Sequence, residues 1–291
     1  KSTSLTAGNF RARTVTKFSL VPEKTWTLGS GERVVLKAGV GYDDGNRGSG
    51  KGSPILELAR EKPAAALQRI YFSYAQTTQV PTYTALNASA SSGLFRGNAN
   101  LGRQTSRNLE LGARFAWAGW SGQAAVFYRR DDALVDWTFR RGVTARTANA
   151  VDIDTTGVEL LARRAWRAVD LVVGYTGLTK NAGYRGAVVD ASFYALNYAR
   201  HRLTAAITAR LGGGFEARMD NVARIQADNV LRVIGGDSAV TSSLGLGYRP
   251  RSWQGVEFSA MADNVWDDRF QEVPAVPASR RQISIGASYA W

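Results

Sequence analysis

The chain has 291 residues, no cysteine, and a formal net charge of +13 at neutral pH. The missing cysteine excludes a disulfide framework, a thiolate metal site and a cysteine nucleophile. Thirty of the 37 basic residues are arginine, and they are spread singly rather than gathered in a stripe or tail. A basic excess can signal nucleic-acid binding. This distribution predicts no nucleic-acid partner, but a solvated wall and loops beside a phosphate-rich membrane surface. No apolar run approaches the roughly 18–20 residues of a membrane helix. The opening Lys1-Ser2-Thr3-Ser4-Leu5 leads into polar sequence without a secretory-signal pattern.

Taken in chain order, the hydrophobicity alternates with period two, the mark of strands with one apolar face. Phe10–Leu20 alternates first, and Pro22–Gly31 reads as a turn. Val34, Leu36, Ala38, Val40 and Tyr42 then oppose Arg33, Val35, Lys37, Gly39 and Gly41. Ile55–Glu61 and Gln68–Gln76 follow, and 77–105 reads as a long loop rich in Thr, Asn, Ser, Gly and Pro. Leu109–Trp117 alternates cleanly. The longer, less regular run from Gln123 to Phe139 predicts a bulge or a strand projecting beyond a membrane. Strands follow from Val158, Val169, Leu203, Phe215, Val240 and Val256. The last is Gln282–Trp291, with Ile283, Ile285, Ala287, Tyr289 and Trp291 on one parity.

About 13 strands result. Tight turns at 118–121, 164–168, 212–214 and 249–253 alternate with long polar loops at 78–105, 141–150, 178–196, 227–237 and 265–280. Connections sorted by length are the pattern of an outer-membrane barrel, with short periplasmic turns and long extracellular loops. The fold class expected is therefore all-β, an antiparallel transmembrane β-barrel with an apolar outer parity and a polar inner one. Aromatics near strand ends, Tyr42, Trp117, Trp120, Trp253, Tyr289 and Trp291, with Trp26, suit the membrane interfaces. An odd strand count cannot close an antiparallel ring, so at least one further strand is expected upstream.

Several stretches resemble one family, the TonB-dependent outer-membrane receptors. The strongest is Asn264-Val265-Trp266-Asp267-Asp268-Arg269-Phe270 with Pro274, Arg280-Arg281 and a last strand ending in an aromatic. Others are Tyr71–Thr77 running to Val80-Pro81-Thr82-Tyr83, Gly97-Asn98-Ala99-Asn100-Leu101, Asn108-Leu109-Glu110-Leu111-Gly112, and Thr156-Gly157-Val158-Glu159-Leu160. Ala99 replaces the family's usual proline, and Arg103-Gln104 departs from its usual acidic or Lys-Pro residues. The resemblance spans essentially the whole chain. It implies a 22-strand barrel filled by an N-terminal plug, a size class that needs plugging, with this chain supplying the C-terminal portion and no second domain. It implies outer-membrane localisation and uptake of a scarce metal chelate, iron–siderophore or cobalamin, with TonB-derived energy. The implied partners are outer-membrane lipid and lipopolysaccharide, the plug and remaining strands, the TonB complex acting through the plug, and the barrel assembly machinery. Tyr289 and Trp291 would form the C-terminal closing and assembly signal. A passive porin-type channel or a barrel enzyme is the alternative.

Loop aromatics and arginines are the candidate ligand contacts: Tyr83, Phe95, Arg96, Trp137, Arg140, Tyr184, Arg185, Tyr194 and Trp266. Converging over the lumen, they would hold an anionic chelate by stacking and charge-assisted hydrogen bonds. The plainer expectation is that some only pack loop against loop. No catalytic residue, resident metal site or cofactor is expected. The single histidine, His201, lacks companion ligands, and Gly45–Ser53 resembles a phosphate-binding loop but carries Gly52 where Ser or Thr is required. The acidic pairs Asp43-Asp44, Asp131-Asp132 and Asp267-Asp268 read as strand-end turn chemistry rather than calcium ligands, with Asp131-Asp132 able to pair with Arg129-Arg130.

Overall fold

The computed structural model describes residues 14–291 apart from Arg47, Val230, Pro274 and Ala275. Lys1–Leu5 and the first part of the expected Phe10–Leu20 strand lie outside the described residues. The strands are β1 (Val15–Leu20), β2 (Glu23–Thr27), β3 (Arg33–Gly45), β4 (Lys51–Glu61), β5 (Leu67–Gln79), β6 (Phe95–Arg96), β7 (Gln104–Trp117), β8 (Trp120–Phe139) and β9 (Arg146–Ala165). They continue with β10 (Val169–Gly183), β11 (Ala191–Ser192), β12 (Ala199–Gly212), β13 (Phe215–Gln226), β14 (Ser238–Tyr248), β15 (Val256–Asp263), β16 (Gln271–Val273), β17 (Val276–Pro277) and β18 (Gln282–Tyr289). One short helix, α1 (Tyr83–Asn87), interrupts them.

Thirteen strands follow one another in a single sheet, in the order β1-β3-β4-β5-β7-β8-β9-β10-β12-β13-β14-β15-β18. This is the number that alternation predicts. Among the described residues the order does not return from β18 to β1.

The connections differ from expectation in five places. Pro22–Gly31 is not a turn: β1 and β2 both pair with β3, Leu20 opposite Val40 and Glu23 opposite Lys37. They are one strand line broken at Val21-Pro22, because proline has no N–H to donate to the ladder. The reversal comes after it, at Gly29–Gly31. The 77–105 loop contains α1, capped by the Thr82 hydroxyl accepting from Ala85 N at 3.2 Å. The 141–150 and 178–196 loops are shorter than expected, since β9 begins at Arg146 and β10 runs to Gly183. Their polar strand ends hid the pairing. Within 265–280, β16 and β17 form a small hairpin.

The chain divides into two compact units. The first comprises Lys1–Ala113, Ala125–Gly157 and Leu178–Tyr198. Registers place Arg33 opposite Glu61, Lys37 opposite Glu57 and Glu61 opposite Arg69, so these charges share the inner parity. They form a ladder: Arg33–Glu61 at 2.9 Å, Arg69–Glu61 at 2.5 Å, Arg69–Glu57 at 2.7 Å and Lys37–Glu57 at 3.2 Å. Solvated pairs of this kind add roughly 0–1 kcal/mol each, so their main effect is to pin register. Val35 and Ala59 are buried between these charges, but the clustered apolar side chains lie elsewhere. A single-layer sheet has no interior, and the core forms where α1 and the loops fold onto the long-loop ends of β8 and β9. Ala85, Leu86, Leu101, Val135 and Ala148 make one cluster, with Trp137 against it, and Val151, Ile153 and Ala195 another.

The second unit comprises Arg114–Ala124, Val158–Gly177 and Ala199–Trp291. Its inner parity is likewise charged and paired: Asp170 between Arg163 (3.2 Å) and Arg210, and Arg218–Asp220 at 2.6 Å. Its outer parity carries exposed Leu203, Ile207, Leu211, Leu244 and Leu246. The tight turn at Gly212–Gly214 needs its glycines, all three having positive φ. The last strand, β18, pairs with β15, Val256 opposite Tyr289.

Candidate functional site

The candidate site is built in the first unit. A strand crosses a bilayer in about 9–11 residues, whereas β8 and β9 have 20 each. Measured from their shared short-turn end, the last half of β8 and the first half of β9 project past the membrane and form a platform. Loops fold onto it. β11 pairs with β8, Ala191 opposite Phe139, and β6 pairs in parallel with β9, Phe95 beside Arg146.

The anchor is Asp136, fully buried on β8. It accepts from the backbone N–H groups of Phe193, Tyr194 and Ala195 at 3.1, 3.1 and 3.0 Å. Burial raises its pKa, and hydrogen bonds from those amides and from Ser192 oppose that rise. The Ser192 hydroxyl in turn accepts from Leu196 N at 2.9 Å and from the Tyr184 hydroxyl at 2.9 Å. Burial pushes Tyr184 above its ordinary range. A second anchor is Asp152 on β9, which accepts from Ala133 N at 2.8 Å and from Arg185 at 2.6 and 3.0 Å. The guanidinium beside it holds the carboxyl below its usual value. Ala133 and Arg185 both adopt left-handed backbone conformations, φ 56° and 51°. The one in β8 is the irregularity its sequence predicted. A single carboxylate thus fixes both special positions.

On this platform sits an aromatic cluster. Phe95 meets Trp137 edge-on at 5.2 Å and stacks on Phe193 at 6.4 Å, while Phe139 lies 6.5 Å from Phe193 and carries Arg146 over its ring at 4.9 Å. Phe95 keeps 42% of its surface exposed and Tyr194 52%. Arg140, the residue after β8, is exposed. The Arg96 Nε is buried without a hydrogen-bond partner.

The predicted residues therefore separate into groups. Phe95 and Trp137 are brought into contact at the long-loop end, with Arg96 next to Phe95 in β6 and Arg140 just after β8. Tyr83 is exposed on α1, whose Ala85, Leu86 and Asn87 are buried. Tyr184 is committed to Ser192 and Arg185 to Asp152, so both act as loop supports. Tyr194 contributes its backbone to Asp136 and to Lys180, whose Nζ donates to Tyr194 O at 3.0 Å, leaving the ring free. Trp266 stands in the second unit, where its Nε1 donates to the Ser242 hydroxyl at 2.7 Å. Ser242 shares the parity of Val240, Leu244 and Leu246, so this indole rests against the outer face. Phe139, Phe193 and Asp136 were missed by sequence reasoning. Their only signal was the irregular end of β8.

Below the cluster, on the inner parity, the same unit holds a polar cleft of about 640 Å³. Lys17, Asp43, Thr78, Gln104, Ser106 and Arg129 line it. Asp43 is engaged by Arg103 and Thr78, and Asp131 by Arg129 at 2.8 Å. Asp132 pairs with Arg130 at 3.0 Å, so Asp131-Asp132 does pair with the preceding arginines. In the second unit Asp267 is held by Arg280, and Asp268 accepts from Val240 N at 2.8 Å. The acidic pairs thus bind arginine and backbone as strand-end chemistry requires. His201 Nδ1 lies 2.8 Å from the Tyr175 hydroxyl.

The model of the family described as TonB dependent receptor-like, beta-barrel, matches residues 3–265. The chain belongs to that family. TonB-dependent receptor barrels are outer-membrane proteins, and this chain is one of them. No curated protein matches it in sequence. Among solved structures it resembles the FrpB iron transporter of Neisseria meningitidis at 14% identity, covering 95% of this chain and 45% of that one, with a TM-score of 0.68. The ferric enterobactin receptor PfeA of Pseudomonas aeruginosa matches at 15% identity over 95% and 45%, TM-score 0.65. The copper transporter OprC matches at 14% over 96% and 48%, TM-score 0.65. The likeness establishes the fold, and the chain spans about half the length of these structures.

The family motifs now have physical content. In Glu110-Leu111-Gly112, Glu110 accepts from the Tyr71 hydroxyl at 2.6 Å, and a Cβ on Gly112 would lie 2.3 Å from the Tyr71 ring. In Gly157-Val158-Glu159, a Cβ on Gly157 would lie 2.4 Å from Phe127.

Proposed function

We propose that the chain forms the C-terminal part of the barrel of an active-transport receptor that binds a scarce metal chelate outside the cell and passes it inward. The observation that carries this reading is the loop platform itself, which leaves the Phe95 and Tyr194 rings exposed and ends in the exposed Arg140. Phe95 and Tyr194 present exposed rings, Arg140 is an exposed cation, and Arg96 keeps a buried Nε without a hydrogen-bond partner. A large, anionic, partly aromatic chelate is held by such a surface through stacking and charge-assisted hydrogen bonds. The cleft with Lys17 and Arg129 below offers a next contact along the inner face. Iron–siderophore complexes are the first candidates, in line with the iron and enterobactin names of two similar structures, and cobalamin the second. Energy would come from TonB pulling on a plug domain. A passive pore or a barrel enzyme has no specific observation in its favour, and the single histidine is committed to Tyr175 on the outer parity.

The test is growth and radiolabelled uptake of a strain carrying the intact gene or its deletion, in iron-limited and in cobalamin-limited medium. Loss of uptake confined to iron limitation, and dependent on TonB, supports the first reading. Unchanged uptake in both media, or uptake indifferent to TonB, overturns the transport proposal.

A further inference from the structure

The short-turn end of the second unit carries a feature that transport does not use. The hairpin between β7 and β8 turns through Ala118 and Gly119, both with positive φ (51° and 80°). That is the two-residue turn whose twist matches its strands. It places Trp117 and Trp120 at the strand ends, and the next turn places Trp166, whose backbone N–H donates to Val169 O at 2.7 Å. Trp117 is 72% exposed and Trp166 44%. Arg164 lies between two of these rings, its guanidinium carbon 5.7 Å from the Trp120 centroid and 4.9 Å from that of Trp166. The two indoles meet edge-on at 6.3 Å.

The parity of Arg164 matters. Val158, Leu160, Ala162 and Arg164 alternate with Glu159, Leu161 and Arg163, and Arg163 pairs with Asp170 on the inner side. Arg164 therefore faces outward, toward lipid. Most charges elsewhere in the sheet have an opposite partner, whereas Arg164 has no carboxylate and no hydrogen bond among the described residues. Its guanidinium faces are covered by indole and its edge donors are left free. Arg167, exposed in the same turn, adds a second cation.

We propose that Trp120, Arg164 and Trp166 form a binding site for the headgroup phosphate of an anionic phospholipid in the periplasmic leaflet of the outer membrane. Short turns of such barrels face the periplasm, and tryptophans seat at headgroup depth. The guanidinium held between the two indoles keeps its donors unpaired among the described residues, and a guanidinium fork matches two phosphate oxygens. The indoles also shield it from water, which strengthens the contact.

The intact outer-membrane protein, extracted into detergent micelles, is titrated with phosphatidylglycerol or phosphatidylethanolamine and analysed by native mass spectrometry. The wild type retains phosphatidylglycerol in preference to phosphatidylethanolamine. Arg164→Gln lowers that retention about fivefold, the scale of one cation near a lipid surface, and Arg163→Gln leaves it unchanged. Equal retention by Arg164→Gln and wild type, or an equal loss in Arg163→Gln, overturns the site. Should Arg164→Gln fail to assemble, the wild type decides: a preference for phosphatidylglycerol that survives in Arg163→Gln supports the site, and equal retention of both lipids overturns it.

Discussion

The Tyr71 hydroxyl donates to Glu110 Oε1 at 2.6 Å, and its ring fills the space above Gly112. Both contacts lie on the inner parity and tie β5 to β7. Replacing Gly112 with Ala puts a methyl into the Tyr71 ring, an overpacking that costs typically 1–3 kcal/mol. Tyr71→Phe removes only the hydrogen bond, about 1 kcal/mol. The order Gly112→Ala below Tyr71→Phe below wild type in urea unfolding midpoint, measured in micelles, checks this. Reversal of the two variants would show that the hydroxyl, not the ring, sets the packing.

Asp136 holds three successive amides of the loop that follows β11. Asp136→Ala leaves the Tyr194 and Ala195 amides without an acceptor, at about 1–3 kcal/mol for each group left unsatisfied, while Phe193 N keeps the Trp137 carbonyl at 3.2 Å. The expected outcome is local: faster hydrogen exchange at residues 193–196 with the wall strands unaffected. Asp136→Asn, which keeps an acceptor oxygen, shows a smaller change. Protection undisturbed in Asp136→Ala would mean that the amides find other partners.

Phe95→Ala and Arg140→Ala should each weaken chelate binding about tenfold, the scale of one stacking or charge-assisted contact. Arg185→Ala should instead act through loop order, because Arg185 is occupied by Asp152. Binding titrations with the transported chelate, alongside hydrogen exchange of the loop, separate the two cases. Equal weakening by all three variants with no change in exchange would place Arg185 in direct contact with ligand.

Asp267 accepts from Arg280 and from Arg281 N, and these contacts hold its carboxyl far below the ordinary value of 3.8. A depressed folded-state pKa stabilises the native loop above the unfolded value, and the contribution is lost as pH falls below it. The 264–281 loop should therefore keep its packing from neutral pH down to about 4 and loosen only in stronger acid. Carbon-13 titration of the Asp267 carboxyl checks this, and a midpoint near 4 would remove the proposed clamp.

Trp291 is fully exposed, and its ring lies 6.4 Å from Tyr289. As an assembly signal it should act on biogenesis rather than on folded stability. Trp291→Ala should lower the outer-membrane level of the protein severalfold while the assembled fraction unfolds at the wild-type midpoint. A matching fall in that midpoint would assign the residue to packing instead.

The sequence alone determined the strands, their number, the two parities and the family, because side-chain alternation is local and a lipid-facing wall enforces it at every second residue. It also pointed to Arg129 and Arg130 as partners of Asp131-Asp132, two residues away in the chain, but not to Arg107, which pairs with Asp132 from β7. It placed the tight turns but misplaced the first reversal and the ends of two long loops, because Pro22 interrupts a strand without ending it, and the polar ends of β9 and β10 lack the alternation that lipid imposes. What only the tertiary structure decided is the loop platform. Asp136 meets amides 57 to 59 residues away, and the Trp266 indole hydrogen-bonds to Ser242 on the outer parity. Such contacts follow from which segments pack together above the membrane, where neither lipid nor a repeating register constrains the pattern, and no local period announces them.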